Sequence, residues 1–154
     1  KAQPLVKAGE REVQKKDWAA ATGALGRAEP LLTEAQGLHR RAVNLFPRSY
    51  RSWINLGVSA KWLGDVQLYR TDIALAHRDS VAARTAALGA LRYYMESVQG
   101  YQKSIEVNPG LVDSKRSINQ VFISVMDLPG LDSSITDFQR RAAVEIRNGN
   151  KGRR

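Results

Sequence analysis

Apolar residues recur every third or fourth position along most of this chain, and runs of alternating β-branched residues are scarce. That periodicity predicts helices and no sheet. The clearest stretch is "AVNLFPRSYRSWINLGVSAKWLGD", Ala42 to Asp65. Pro47 cannot sit in a helix interior, because it lacks an N–H and its ring clashes with the preceding turn. Ser49 is suited to cap a new helix on which Trp53, Leu56, Gly57, Ala60 and Leu63 share one side. Gly64-Asp65 reads as a stop followed by a fresh N-cap, so Val66, Tyr69, Ile73 and Ala76 are expected on a second helix. The segment is then a helical hairpin, with Gly57 and Ala76 small enough for close helix approach.

The pattern continues towards the C-terminus. Asp79 or Ser80 caps a helix carrying Val81, Ala87, Leu88, Leu91 and Tyr94. A short helix follows with Val98, Tyr101, Ile105 and Val107, closed by "NPG" at 108–110. Asp113 or Ser114 opens another, with Ile118, Val121, Phe122 and Val125, and "LPG" at 128–130 breaks it. Asp132 or Ser133 caps the last, with Ile135, Phe138, Ala142 and Ile146. Breaks are predicted near Pro47, Gly64, Pro109 and Pro129. Pro47 and Pro109 lie 62 residues apart, which suggests an internal repeat. Residues 1–46 fit two registers, one through Gly9 and "KKDWAAATGALGRAE", the other through Gly23, Ala35, Ala42 and Pro47.

These residues resemble the tetratricopeptide repeat family, whose unit is a helix–turn–helix of roughly 34 residues. Trp53, Leu56 and Gly57 match the aromatic, Leu and Gly of its first helix, and "AVNLFP" and "SIEVNP" match the end of its second. Tyr69 stands where that family usually has alanine, and Val81 where it often has proline. The resemblance covers most of residues 16–146 and is specific over 42–76 and 101–110. It implies an all-α, right-handed α-solenoid of about four antiparallel helix pairs. Residues 1–146 form one domain, with irregular helices over 1–46 and degenerate repeats over 47–146. Residues 147–154 are expected to be a flexible basic tail.

Composition narrows the function classes. The chain has 154 residues, 43% hydrophobic and 25% charged, enough for a folded domain. It contains no cysteine, which removes disulfides and thiolate metal sites. No apolar run approaches the roughly 20 residues that span a bilayer. A soluble protein is expected, cytoplasmic in preference to periplasmic. Net charge is +9, and six basic residues from Arg140 onward face one acid, Glu145. Such an end suits nucleic acid or an anionic membrane surface, but it lacks the interleaved aromatics that stack on bases.

No constellation carries chemistry. His39 and His77 each lie alone, without ligand spacing. No nucleophile elbow, glycine-rich phosphate loop or paired metal carboxylates occur. Neither catalysis nor a metal or cofactor is expected. A repeat array instead favours binding, because stacked hairpins build a curved groove. The resemblance places Arg51, Asn55, Lys61 and Trp62 on its concave face, followed by a smooth floor of Ala82, Ala83, Ala86 and Ala90, and then Arg116, Gln120 and Ile123. In relatives that clamp a peptide carboxylate, an Asn at the place of Asn55 holds peptide backbone. Val6 and Glu10 stand where that clamp needs Lys and Asn, so it is incomplete here. The leading expectation is a protein–protein interaction scaffold that binds a peptide or partner helix through Arg51, Asn55, Lys61, Trp62, Arg116 and Gln120. The alternatives are an accessory module of a larger bacterial envelope or glycan-assembly protein, and a nucleic-acid or anionic-surface binder. Self-association is compatible with either.

Overall fold

A computed structural model describes residues 2–126, 128–129 and 132–151. It is all-helical: α1 (Ala2–Gln14), α2 (Trp18–Leu45), α3 (Tyr50–Ala76), α4 (Ser80–Val107), α5 (Val112–Met126) and α6 (Asp132–Lys151), with no strand among the described residues. Helices end just before Pro47, Pro109 and Pro129, as the sequence predicts. Asp17, Ser49 and Asp79 cap α2, α3 and α4, each side chain accepting a backbone N–H three residues ahead. The expected tail is helical through Lys151. Residues 152–154, like Gly130 of the "LPG" break, lie outside the described residues, as do the side chains of the two proposed α6 caps.

The predicted break at Gly64 does not form. Gly64 and Asp65 lie mid-way along α3, which runs unbroken for 27 residues. The reason is tertiary. A Cβ on Gly64 would stand 2.5 Å from the Tyr94 ring. Asp65 is not a cap but a buried acid, accepting from the Tyr94 hydroxyl at 2.9 Å and from Lys61 Nζ at 2.7 Å. A glycine inside a helix costs about 1 kcal/mol of propensity, and the close approach that it permits outweighs that here. The short helix expected from Val98 is likewise the second half of α4. The described residues therefore form six helices where about four pairs were expected.

α3 and α4 pack antiparallel at very short range. Gly57 lies against Tyr101 and Gly100, Gly64 against Tyr94, and Gly89 against Gln67, so numbering falls along α4 as it rises along α3. A Cβ on Gly100 would meet the Gly57 backbone nitrogen at 2.8 Å and the Trp53 carbonyl at 3.0 Å. Ser97 Oγ donates to the Gly57 carbonyl at 2.8 Å. Small residues bring the backbones together, and a buried hydroxyl bonds across the gap.

Helix boundaries also repeat. α2 and α4 are both 28 residues long and begin 62 residues apart, at Trp18 and Ser80. α3 and α5 begin at Tyr50 and Val112, with the same offset. Lys16 and Arg78 share a left-handed backbone, with φ of 62° and 59°. Each is followed by the capping Asp, whose N–H bonds a carbonyl five residues back at 2.9 Å. α1 then corresponds to the second half of α3. Val6, Leu25, Ala28, Leu32, Leu63 and Val66 form a core among α1, α2 and α3. A second core joins α4, α5 and α6 through Tyr94, Val98, Val121, Val125 and Phe138.

Candidate functional site

The structure separates the predicted binding residues. Lys61 and Trp62 stand together, the ammonium 5.4 Å from the ring centroid. Neither presents a free face. Lys61 is committed to Asp65, and Trp62 is half-buried against the α1–α2–α3 core. Arg51 and Asn55 are exposed on α3, with Arg51 lying over its neighbour Tyr50. Arg116 and Gln120 are exposed on α5, where Arg116 pairs with Asp113 at 3.6 Å. No described contact joins the α5 pair to the α3 residues. Ala83 and Ala90, expected on a groove floor, are buried inside the helix packing.

A concave surface does exist, on the other helices. A groove of about 800 Å³ lies between α2, α4 and α6. Its apolar part is Leu88, Leu91, Met95 and Phe138, and its polar edge includes Arg40, Arg92, Glu96, Asp137 and Arg141. Glu96 organises one end. It accepts two bonds from the Arg40 guanidinium, at 2.7 and 2.8 Å, and one from Gln36 at 2.7 Å, which ties α4 to α2. The Glu96 hydrogen bond also holds the Arg40 guanidinium more firmly protonated. Arg92 lies over the Tyr93 ring at 5.1 Å, and neither Arg92 nor Arg141 has an ion pair among the described residues. The groove thus presents the exposed Leu88 over buried Leu91, Met95 and Phe138, beside two guanidinium groups with no ion pair among the described residues.

The perturbed groups lie elsewhere, in the packing. Burial raises the Asp65 carboxyl above the usual range, while Lys61 and the Tyr94 hydroxyl oppose the shift. Burial and the Asp65 charge push Tyr94 and Tyr69 well above the ordinary tyrosine value. Burial lowers His39, whose Nδ1 lies 3.1 Å from Ser59 Oγ on α3. None of these groups lines the groove. Among the described residues, no three His, Asp or Glu side chains gather as metal ligands. No described helix is long and apolar enough to cross a membrane.

The α2–α4–α6 groove had no sequence signal of its own. Leu91 reads as part of an apolar stripe and Arg141 as part of the basic C-terminal end, while Arg40, Arg92 and Met95 carry no expectation. The 3.6-residue period of α4 gave the one available clue: Leu88, Arg92, Met95 and Gln99 fall on one side. No protein-family model matches the chain, and comparison with curated proteins and with solved structures yields no match.

Proposed function

We propose that the protein is a non-catalytic interaction scaffold. The pairs α1–α2, α3–α4 and α5–α6 stack as a right-handed α-solenoid of the tetratricopeptide kind built from longer helices. A short peptide or partner helix seats in the groove between α2, α4 and α6. The observation that carries this reading is the combination in that groove of Leu88, Leu91 and Met95 with the unpaired Arg92 and Arg141. Apolar anchors supply affinity, and arginines are frequent hot spots at such surfaces. The complementary ligand is an apolar side chain flanked by carboxylates.

A fluorescence-anisotropy screen of acidic amphipathic peptides tests this, run beside labelled single- and double-stranded oligonucleotides. Binding peptides should lose about tenfold or more in affinity when Arg92 and Arg141 are both changed to Glu, and again when the exposed Leu88 is changed to Glu. Salt should weaken the peptides modestly. Oligonucleotides bound more tightly than any peptide, with a steep salt slope, would replace the scaffold reading by nucleic-acid binding.

A further inference from the structure

The longest acid-free run in the chain covers residues 35–64, the end of α2 and the first half of α3. It holds five cations: Arg40, Arg41, Arg48, Arg51 and Lys61. Glu96 and Asp65, from outside the run, take Arg40 and Lys61. Arg41, Arg48 and Arg51 have no ion pair among the described residues. All three lie in the turn between α2 and α3 or within one helical turn of it, about 6 Å along the axes. Arg51 is held by a neighbour and not by an acid, its Nε donating to the Tyr50 hydroxyl at 3.3 Å.

The same turn projects apolar surface. Leu45 and Phe46 are 72% and 62% exposed. The turn is firmly built: Trp53 Nε1 donates to the Pro47 carbonyl at 2.8 Å, the Phe46 N–H to the Ala42 carbonyl at 2.8 Å, and Ser49 caps α3. A second turn stands at the same end. Glu29 meets Gln67 and His39 meets Ser59, so α2 runs antiparallel to α3 and parallel to α4. There Val107 closes α4 and Val112 opens α5, 39% and 56% exposed although α3 and α5 both pack on α4. Apolar exposure at this end therefore follows from position at helix tips. Glu106 and Asp113 pair with Lys103 and Arg116, and Lys115 is left as the unpaired cation of the second turn. The turns at the opposite end carry the capping acids Asp17 and Asp79.

We propose that this end is a peripheral docking surface for an anionic lipid bilayer. Leu45 and Phe46 enter the headgroup boundary, and Arg41, Arg48 and Arg51 meet the phosphates and carboxylates of the lipids. Apolar insertion and cationic attraction are each weak alone and add at one surface. The aliphatic Leu45, Val107 and Val112 decide between two anionic partners. A bilayer boundary receives them, whereas stacking on nucleic-acid bases uses aromatic rings and guanidinium planes. The helices then stand end-on to the bilayer, and the groove along the sides of α2, α4 and α6 stays open.

Vesicle co-sedimentation of the full chain tests this. Phosphatidylcholine vesicles containing about 30% phosphatidylserine should bind it with a midpoint below about 1 mM lipid, and phosphatidylcholine alone should not. Phe46→Ser and Arg48→Glu, both at exposed turn positions and each checked for native circular dichroism, should weaken binding about fivefold or more. Arg84→Glu makes the same charge change at an exposed position near the start of α4, at the opposite end, and should weaken it less than about twofold. The chain has no cysteine, so an environment-sensitive dye on a Phe46→Cys variant reports insertion at one place. Its emission should shift to the blue on phosphatidylserine vesicles, and that of an Arg84→Cys variant should not. Absence of binding up to about 5 mM lipid overturns the proposal, as does binding that Phe46→Ser and Arg48→Glu leave intact. A dye at position 46 that stays unshifted in bound protein would also overturn it, by giving the contact to another surface such as the basic C-terminal end. A labelled oligonucleotide that binds more tightly than the vesicles, and is released by Arg48→Glu, would overturn it in favour of nucleic acid.

Discussion

Gly100 and Leu38 stand at corresponding places on α4 and α2 and have opposite fates. The glycine lies where backbone meets backbone, and a Cβ on it would stand 2.8 Å from the Gly57 nitrogen. The leucine faces solvent at half exposure. Side-chain hydrophobicity alone ranks them the wrong way round. What decides is whether another helix lies opposite and how near its axis comes. Small residues mark where helices are closest, and large exposed ones mark where no described helix lies opposite. In the middle of α3, six of the eight residues from Ser59 to Val66 are buried, because α1, α2 and α4 pack around it.

The largest expected effect tests the tight side of that contrast. Gly100→Val puts branched carbon where the Gly57 backbone leaves no room, and should destabilise by about 3 kcal/mol in chemical denaturation. A loss under 1 kcal/mol would mean that the helices separate easily. Tyr94→Phe comes next. It removes one of two partners of a buried carboxylate and should cost about 1–3 kcal/mol. A neutral result would show that Lys61 alone satisfies Asp65.

Asp65 adds a pH signature. Its folded-state pKa is raised, so the folded protein holds that proton more tightly than the unfolded chain does. The stability linked to it is present below the ordinary carboxylate range and is lost as pH rises through the raised value. Asp65→Asn lacks this loss, so stability relative to the parent should improve from acidic towards neutral pH, as read from melts across that window. His39 works in the other direction. Its folded pKa is lowered from 6.5, so its contribution is present above that pH and is lost as pH falls through the lower folded value. His39→Gln should flatten the acid limb of the stability curve.

The smallest effects belong to the open side. A Cβ at Gly26 meets nothing within 4 Å. Gly26→Ala should therefore stabilise by about 0.5–1 kcal/mol through helix propensity alone. Leu38→Gln should stay within about 0.5 kcal/mol in the isolated chain. A large loss there would mean that the exposed leucine packs on something already present.

Most of the fold was legible because proline and capping residues act locally. Pro47 and Pro109 end helices, and Asp79 and Ser49 start them, whatever packs nearby. Gly64-Asp65 was misread because the same two residues serve as a stop in one setting and as a close contact with a buried acid in another. Only Tyr94, 29 residues further on, tells the two apart. Of the expected binding residues, Arg51 and Asn55 are exposed on α3. Trp62 is drawn inward because α1 lies across that part of α3, a contact that helical periodicity does not encode. Arg92 and Met95 were overlooked because a groove depends on how α6 sits against α4.

Between the two units, what recurs is chiefly arithmetic: helix length, a capping aspartate, a left-handed turn residue and the proline beyond. Few side chains match at the 62-residue offset. Information stored in lengths tolerates replacement and resists slippage. Deleting one residue from the middle of α4 would turn everything beyond it by about 100°, carrying Gly100 off the α3 contact and Tyr101 with it. Drift in sequence could therefore go far while insertions and deletions inside α2, α3 and α4 stayed barred, and the loops at 46–49 and 108–111 would be the places left for the chain to grow.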